Sequence, residues 1–216
     1  MKEYFLDNKS NTLILFFCGW GMDEKPFKPL KTKYDLLLLY NYSELSLNFD
    51  FSSYKTVHLL SYSYGVFTAA MLDKKLPVKP VSKTAINGTL KPIDNNYGIP
   101  QKIFDLTLGS MTLETAVKFR ERLFNHQEHF RLFNKNLPLR DIDDSMHELA
   151  QLKEYFKNEV YCNYDKVLIA EEDRIIPTRN QKKYWLELQN HQNVKLIQGG
   201  HFPFYNYEFL EDLIEL

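Results

Sequence analysis

An open α/β sheet with mostly parallel strands is the fold class that this 216-residue sequence predicts. Three observations predict it. Short apolar runs recur, and most end at a turn signal. The runs are continuous rather than alternating, the pattern of strands buried on both faces. Helical segments separate several of them, which is the β-α alternation of a parallel sheet.

Residues 12–17 (TLILFF) run into Gly19 and Gly21, and 35–39 (DLLLL) into a Tyr/Asn/Ser cluster. Residues 56–60 (TVHLL) run into Ser61, Ser63 and Gly65, and 81–86 (VSKTAI) end at Asn87-Gly88. Residues 166–170 (KVLIA) end in the acidic group 171–173, and 194–197 (VKLI) at Gly199-Gly200. Each run is too short for an independent helix, so each is read as a strand. Helices are expected over 65–75, 179–190 and 205–216. From about 110 the middle of the chain also reads helical, with LETAVKFRERLFNHQEHFRLF and then SMHELAQLKEYFKN. In the second stretch Ser145 and Glu148 have the spacing of a capping box. This block is long for a crossover. It is read as a helical lid over 100–157, inserted between the fourth and fifth core strands of a single domain spanning 1–216.

With 44% hydrophobic and 15% aromatic residues, the chain can bury a sizeable core. No stretch approaches the roughly 18 consecutive apolar residues of a membrane span. The N-terminus, MKEYFLDNKS, lacks the apolar centre of a signal peptide, so a cytoplasmic protein is expected. A net charge of −1 argues against a general nucleic-acid binder. The two cysteines, Cys18 and Cys162, offer neither a disulfide framework nor zinc-ligand spacing, and read as free thiols. His126 and His129 form an H-x-x-H on the helical block without a third ligand, so a solvated helix face is the better reading than a metal site. His58 reads as a satisfied core histidine.

The decisive feature is Ser61-Tyr62-Ser63-Tyr64-Gly65, between the strand TVHLL and the helix GVFTAAMLDKK. A nucleophile elbow places serine on such a strand-to-helix turn, with small residues two before and two after it. Here Ser61 replaces the usual first glycine. A serine hydroxyl needs a neighbouring base. In the α/β-hydrolase fold the order is Ser, then Asp or Glu, then His. His201, in Gly199-Gly200-His201-Phe202-Pro203, follows the last strand and is the candidate base. Glu171, Glu172 and Asp173 follow the strand KVLIA, and any of the three can orient the histidine. The choice falls on Asp173, the farthest past the strand end. An oxyanion hole needs two backbone N–H groups. Tyr64, just after the serine, offers one, and Trp20, in the loop Cys18-Gly19-Trp20-Gly21-Met22-Asp23, the other. All these features fall at strand C-terminal ends, where open α/β sheets bind ligands. The sequence thus specifies the α/β-hydrolase fold, a mostly parallel central sheet flanked by helices.

Further residues carry a resemblance. They are Phe17-Cys18-Gly19-Trp20-Gly21-Met22-Asp23, Ala85-Ile86-Asn87-Gly88-Thr89, Pro92-Ile93-Asp94, Gly98-Ile99-Pro100, Asp173 with Ile176-Pro177, and Gly200-His201-Phe202-Pro203. The chain resembles, over nearly its whole length, the BioG-type pimeloyl-acyl-carrier-protein methyl ester esterases of bacterial biotin synthesis. The Gly-Trp-Gly loop is shared with BioH-type esterases. The resemblance implies a triad of Ser63, Asp173 and His201, an oxyanion hole at Trp20 and Tyr64, a helical lid, and no metal or organic cofactor. The implied substrate is a pimeloyl methyl ester on acyl carrier protein, so an acidic carrier is the expected partner. Arg120, Arg122 and Arg131 of the basic lid are candidate contacts for it. The elbow SYSYG, rich in tyrosine, departs from the family pattern. Three other readings compete. One is a carboxylesterase or thioesterase with another acyl substrate. The second is a non-catalytic α/β-hydrolase-fold binding protein. The third, a Rossmann nucleotide binder, is disfavoured because Glu24 stands where G-x-G-x-x-G needs glycine.

Overall fold

The computed structural model describes all residues, Met1–Leu216. Seven strands form one sheet: β1 (Lys2–Leu6), β2 (Thr12–Phe17), β3 (Asp35–Tyr40), β4 (Thr56–Tyr62), β5 (Ser82–Ile86), β6 (Lys166–Ala170) and β7 (Val194–Ile197). Their order is β1-β3-β2-β4-β5-β6-β7. All neighbouring pairs are parallel except β1 with β3, which pair antiparallel. The six expected strands are present. β1 is an addition. Its sequence KEYFL is mostly exposed at the sheet edge, so it carries no continuous apolar signal.

The continuous runs reflect burial on both faces. Leu13, Leu15 and Phe17 of β2 belong to one core cluster, while Ile14 and Phe16 of the same strand belong to the other. The first face is covered by α1 (Tyr64–Leu72), through Val66 and Ala69, and by parts of the central helical segment. That segment lies between β5 and β6 and forms α2 (Gln101–Ser110), α3 (Leu113–Glu121), α4 (Gln127–Lys135) and α5 (Ile142–Tyr155). After β6 come α6 (Thr178–Lys182) and a π-helical turn over Lys183–Leu188. No helix is long and apolar enough to cross a membrane.

Two local expectations are corrected. The C-terminal segment is not a helix over 205–216: a 3-10 turn covers Phe204–Asn206 and α7 spans only Asp212–Glu215. Between them the chain pairs with Lys31, whose N–H donates to Glu208 O and whose carbonyl accepts from Leu210 N–H, both at 3.0 Å. That pairing holds it extended. Phe202 and Phe204 instead cover the second core face, packing against Phe16 and Phe27. Ser145 and Glu148 do not form a capping box. Asp141 caps α5 by accepting from Asp144 N–H at 2.7 Å, one turn earlier. Ser145 therefore lies inside the helix, and Glu148 is fully buried.

Both cysteines are free and buried. Burial pushes the Cys18 thiol well up and the Cys162 thiol up to about 12. The thiolate is the reactive form. Native protein at pH 7.5 should therefore show neither thiol to Ellman's reagent within minutes, and both after denaturation. Rapid native titration of either would contradict this burial.

Candidate active site

Ser63 sits between β4 and α1 with φ 56° and ψ −123°, outside the regions an L-residue prefers. The sharp turn requires close backbone approach. A Cβ on Gly65 would stand 2.3 Å from Phe17 O and 2.5 Å from Cys18 O, so only glycine lets α1 start against the end of β2. Ser61 is tolerated in place of the usual first glycine because its hydroxyl lies 3.2 Å from both Thr84 O and the Tyr164 hydroxyl. The two tyrosines of the elbow also have places. Tyr62 packs on the His201 ring, with centroids 5.1 Å apart, and Tyr64 on Phe156 at the same distance.

His201 and Asp173 meet Ser63 from the ends of β7 and β6. His201 Nε2 lies 2.9 Å from Ser63 Oγ, and His201 Nδ1 lies 2.7 Å from Asp173 Oδ2. All three residues are buried. Asp173 Oδ1 accepts the N–H groups of Ile175 and Ile176 at 2.8 and 3.0 Å, and Gln181 Nε2 donates to Oδ2 at 2.8 Å. Glu171 and Glu172 are exposed, so Asp173 is the acid that reaches the histidine. The histidine loop is held by Asn87, whose Nδ2 donates to His201 O at 2.8 Å while Ala170 N–H donates to its Oδ1 at 2.7 Å.

Tyr64 is the first residue of α1, where a backbone N–H has no intrahelical acceptor. Trp20 occupies the turn after β2, beside Ser63 in the cleft. The cleft is lined by 17 residues, 11 of them hydrophobic, which suits an alkyl chain. Ile103, Phe104, Phe119 and Leu149 of α2, α3 and α5 form one wall. Arg122 and Arg174 also line the cleft and are exposed.

The basic residues of the helical segment divide. Arg140 is committed internally, 2.7 Å from Asp144 and 2.5 Å from Glu148, and Lys118 pairs with Glu114. Arg122 and Arg131 are exposed, and Arg120 is half-buried beside a second cavity, with burial pulling its guanidinium pKa down. His126 and His129 face each other with ring centroids 5.5 Å apart. His58 is half-buried against Ser82 Oγ at 2.7 Å, and burial lowers its pKa. The contacts that Gln181, Asn87, Glu148 and Arg140 make here have no signal in the sequence. Polar side chains that act by meeting one distant partner leave no periodic trace. The Asn87-Gly88 pair looked like an ordinary turn.

An asymmetric centre of this kind, with a serine hydroxyl against a buried imidazole and carboxylate, can carry acyl transfer. The chain is similar to several known proteins. MGS-M2, an alpha/beta hydrolase enzyme from a Medee basin deep-sea metagenome library, superposes with a TM-score of 0.58 at 16% identity, covering 94% of this chain and 89% of that one, and so shares the fold. The crystal structure of BioG from Haemophilus influenzae superposes with a TM-score of 0.89 at 30% identity over 99% of each chain. A malonyl-[acyl-carrier protein] O-methyltransferase of Bacteroides fragilis is 34% identical over 197 residues, 88% of this chain. The chain spans only 39% of that protein's length. The family model described as pimeloyl-ACP methyl esterase BioG matches residues 1–213, and the chain with its α/β-hydrolase fold belongs to the BioG family.

Proposed function

We propose that this protein is a serine esterase that hydrolyses pimeloyl-acyl-carrier-protein methyl ester to pimeloyl-acyl-carrier protein and methanol, a step of biotin synthesis in the cytoplasm. The observation that carries the reading is the continuous contact from Ser63 Oγ through His201 to Asp173, at 2.9 and 2.7 Å. Membership of the BioG family supports the substrate. The Bacteroides fragilis relative, a malonyl-[acyl-carrier protein] O-methyltransferase, agrees with it.

His201 Nε2 takes the Ser63 proton as Oγ attacks the ester carbonyl. The carbonyl becomes a tetrahedral oxyanion, held by the N–H groups of Trp20 and Tyr64. Asp173 keeps Nδ1–H pointing at itself and stabilises the imidazolium. The C–O bond to the methoxy group breaks, and His201 gives the proton to the departing methanol. Water then attacks the acyl-enzyme, losing its proton to His201. The second tetrahedral species collapses to a carboxylic acid, and Ser63 recovers its proton.

The helices within 100–157 act as a lid, within a single domain of 1–216, because they supply the apolar wall opposite Ser63. Arg120, Arg122 and Arg131 of that lid face the acidic carrier. Arg122→Glu is expected to lower kcat/KM about tenfold more on the carrier-bound ester than on a small methyl ester, through electrostatic steering. Equal loss on both substrates would rule this contact out.

The test of the function is hydrolysis of pimeloyl-carrier methyl ester by purified protein beside Ser63→Ala, followed by mass spectrometry. Loss of about 14 Da from the carrier-bound ester, in a Ser63-dependent way, is the expected result, because water adds to the acyl group and methanol leaves. Turnover of p-nitrophenyl esters without turnover of the carrier ester would keep the esterase and reject the substrate.

A further inference from the structure

The loop carrying Trp20 is tied to the helical segment through one buried carboxylate. Residues Gly19–Met22 form a turn in which Met22 N–H reaches Gly19 O at 3.4 Å and Gly21 has φ +71°. A positive φ at the third position marks a type II turn. This differs from type I in the orientation of its central peptide, here Trp20–Gly21. The N–H of that peptide, on Gly21, donates to Glu148 Oε2 at 3.2 Å. The other oxygen, Oε1, accepts the Tyr42 N–H at 2.9 Å, and the Tyr42 hydroxyl donates back to Cys18 O at 2.7 Å. Both ends of the loop thus depend on Glu148. The Trp20 side chain is tied to the same helix, its Nε1 donating to Ser145 O at 2.6 Å.

Glu148 is completely buried on α5, with Arg140 Nη1 2.5 Å from Oε2. A buried ion pair is weak evidence for stability, because desolvation offsets much of the attraction. Its geometry here has another consequence. A carboxylate accepts N–H groups and repels carbonyl oxygens. Flipping the Trp20–Gly21 peptide would aim the Trp20 carbonyl at Glu148, so the charge selects one state of the turn.

We propose that Glu148 is a positioning residue, holding the Trp20 loop in the conformation that aims the Trp20 N–H at the oxyanion formed on Ser63. This inference rests on the serine esterase reading. Glutamine has nearly the same volume but offers one acceptor oxygen and one NH₂. Three donors, from Gly21, Tyr42 and Arg140, then compete for that oxygen, and one N–H must face another donor.

The experiment compares Glu148→Gln with Arg140→Gln, which removes the cation but leaves both loop acceptors. Substrates are p-nitrophenyl acetate and, as a mimic of the tetrahedral oxyanion, a trifluoromethyl ketone inhibitor. Glu148→Gln is expected to lose about 30-fold in kcat with KM within about twofold, and inhibitor affinity should fall in step with kcat/KM. Arg140→Gln should keep kcat within about threefold even where its Tm falls as far. If Glu148→Gln does not fold, Glu148→Asp takes its place: it keeps the charge but draws both oxygens back from the Gly21 and Tyr42 N–H groups, with several-fold loss in kcat and unchanged KM expected. Equal kcat losses in the Glu148 and Arg140 variants, or wild-type kcat in Glu148→Gln or Glu148→Asp, would overturn the inference. Wild-type protein and Ser63→Ala in the same plate separate the two failures. A wild type no faster than Ser63→Ala defeats the esterase reading itself.

Discussion

Ser63→Ala is expected to lower kcat on a small ester by about 10⁴- to 10⁶-fold while the protein keeps its fold. The size follows from the chemistry. Without Oγ no acyl-enzyme forms, and only the oxyanion donors and substrate binding remain to assist direct attack by water. His201 contacts Ser63 Oγ at 2.9 Å, so its part in forming the acyl-enzyme is lost together with that hydroxyl. Adding His201→Ala to Ser63→Ala should therefore cost little more, since residues acting as a unit are not additive. A fluorophosphonate probe should label wild type on the peptide containing Ser63, and label neither variant. Ser63→Ala retaining a tenth of wild-type kcat, or labelling elsewhere, would move the nucleophile to another residue.

Gly65→Ala is expected to be damaging to both stability and activity. Its Cβ would meet Phe17 O at 2.3 Å and Cys18 O at 2.5 Å, both backbone atoms at the end of β2 that cannot rotate away. Overpacking costs about 1–3 kcal/mol in ordinary cores, and rigid neighbours place this case at the upper end. At about 3 kcal/mol the Tm of a chain this size falls by roughly 6–12 °C. Activity should fall further than stability alone explains. Moving α1 outward shifts both Ser63 and the Tyr64 N–H, and a displacement of about 1 Å can cost on the order of 100-fold. Gly109→Ala is the matched control. No atom lies within 4 Å of a Cβ there, in the last turn of α2. Alanine stabilises an exposed helix by about 0.5–1 kcal/mol over glycine, so Tm should rise by roughly 1–4 °C. Thermal melts followed by circular dichroism decide both. A Gly65→Ala protein that melts and turns over like wild type would show that the elbow has room to spare.

Ser63, Asp173 and His201 were legible because each follows a buried strand at its C-terminal end. A parallel sheet brings such ends to one edge, so chain order and strand position were enough to suggest that the three could meet. The turn after β2 and the start of α1 put Trp20 and Tyr64 at the same edge, for the same reason. The edge strand β1 was missed because half-exposed residues dilute its pattern. The helix expected over 205–216 was misread because pairing with Lys31 outcompetes local propensity. The apparent capping box failed because spacing does not tell a cap from an interior position when Asp141 lies one turn upstream. The residues Asn87 and Gly98 of the INGT…GIP stretch serve the backbone. Asn87 ties the histidine loop to β6, and Asn180 Nδ2 donates to Gly98 O at 2.8 Å.

By itself the sequence determined the alternation of strands and helices, the strand-to-helix turn at Ser63 and the order of Ser63, Asp173 and His201 along the chain, because these depend on local apolar patterning and on which residues close a turn. Only the tertiary structure decided which of the acids 171–173 meets His201, which arginines remain free at the cleft, and that Glu148 reaches the Trp20 loop. Those outcomes depend on where distant backbone and side-chain groups come within about 3 Å of one another, the range over which hydrogen bonds form.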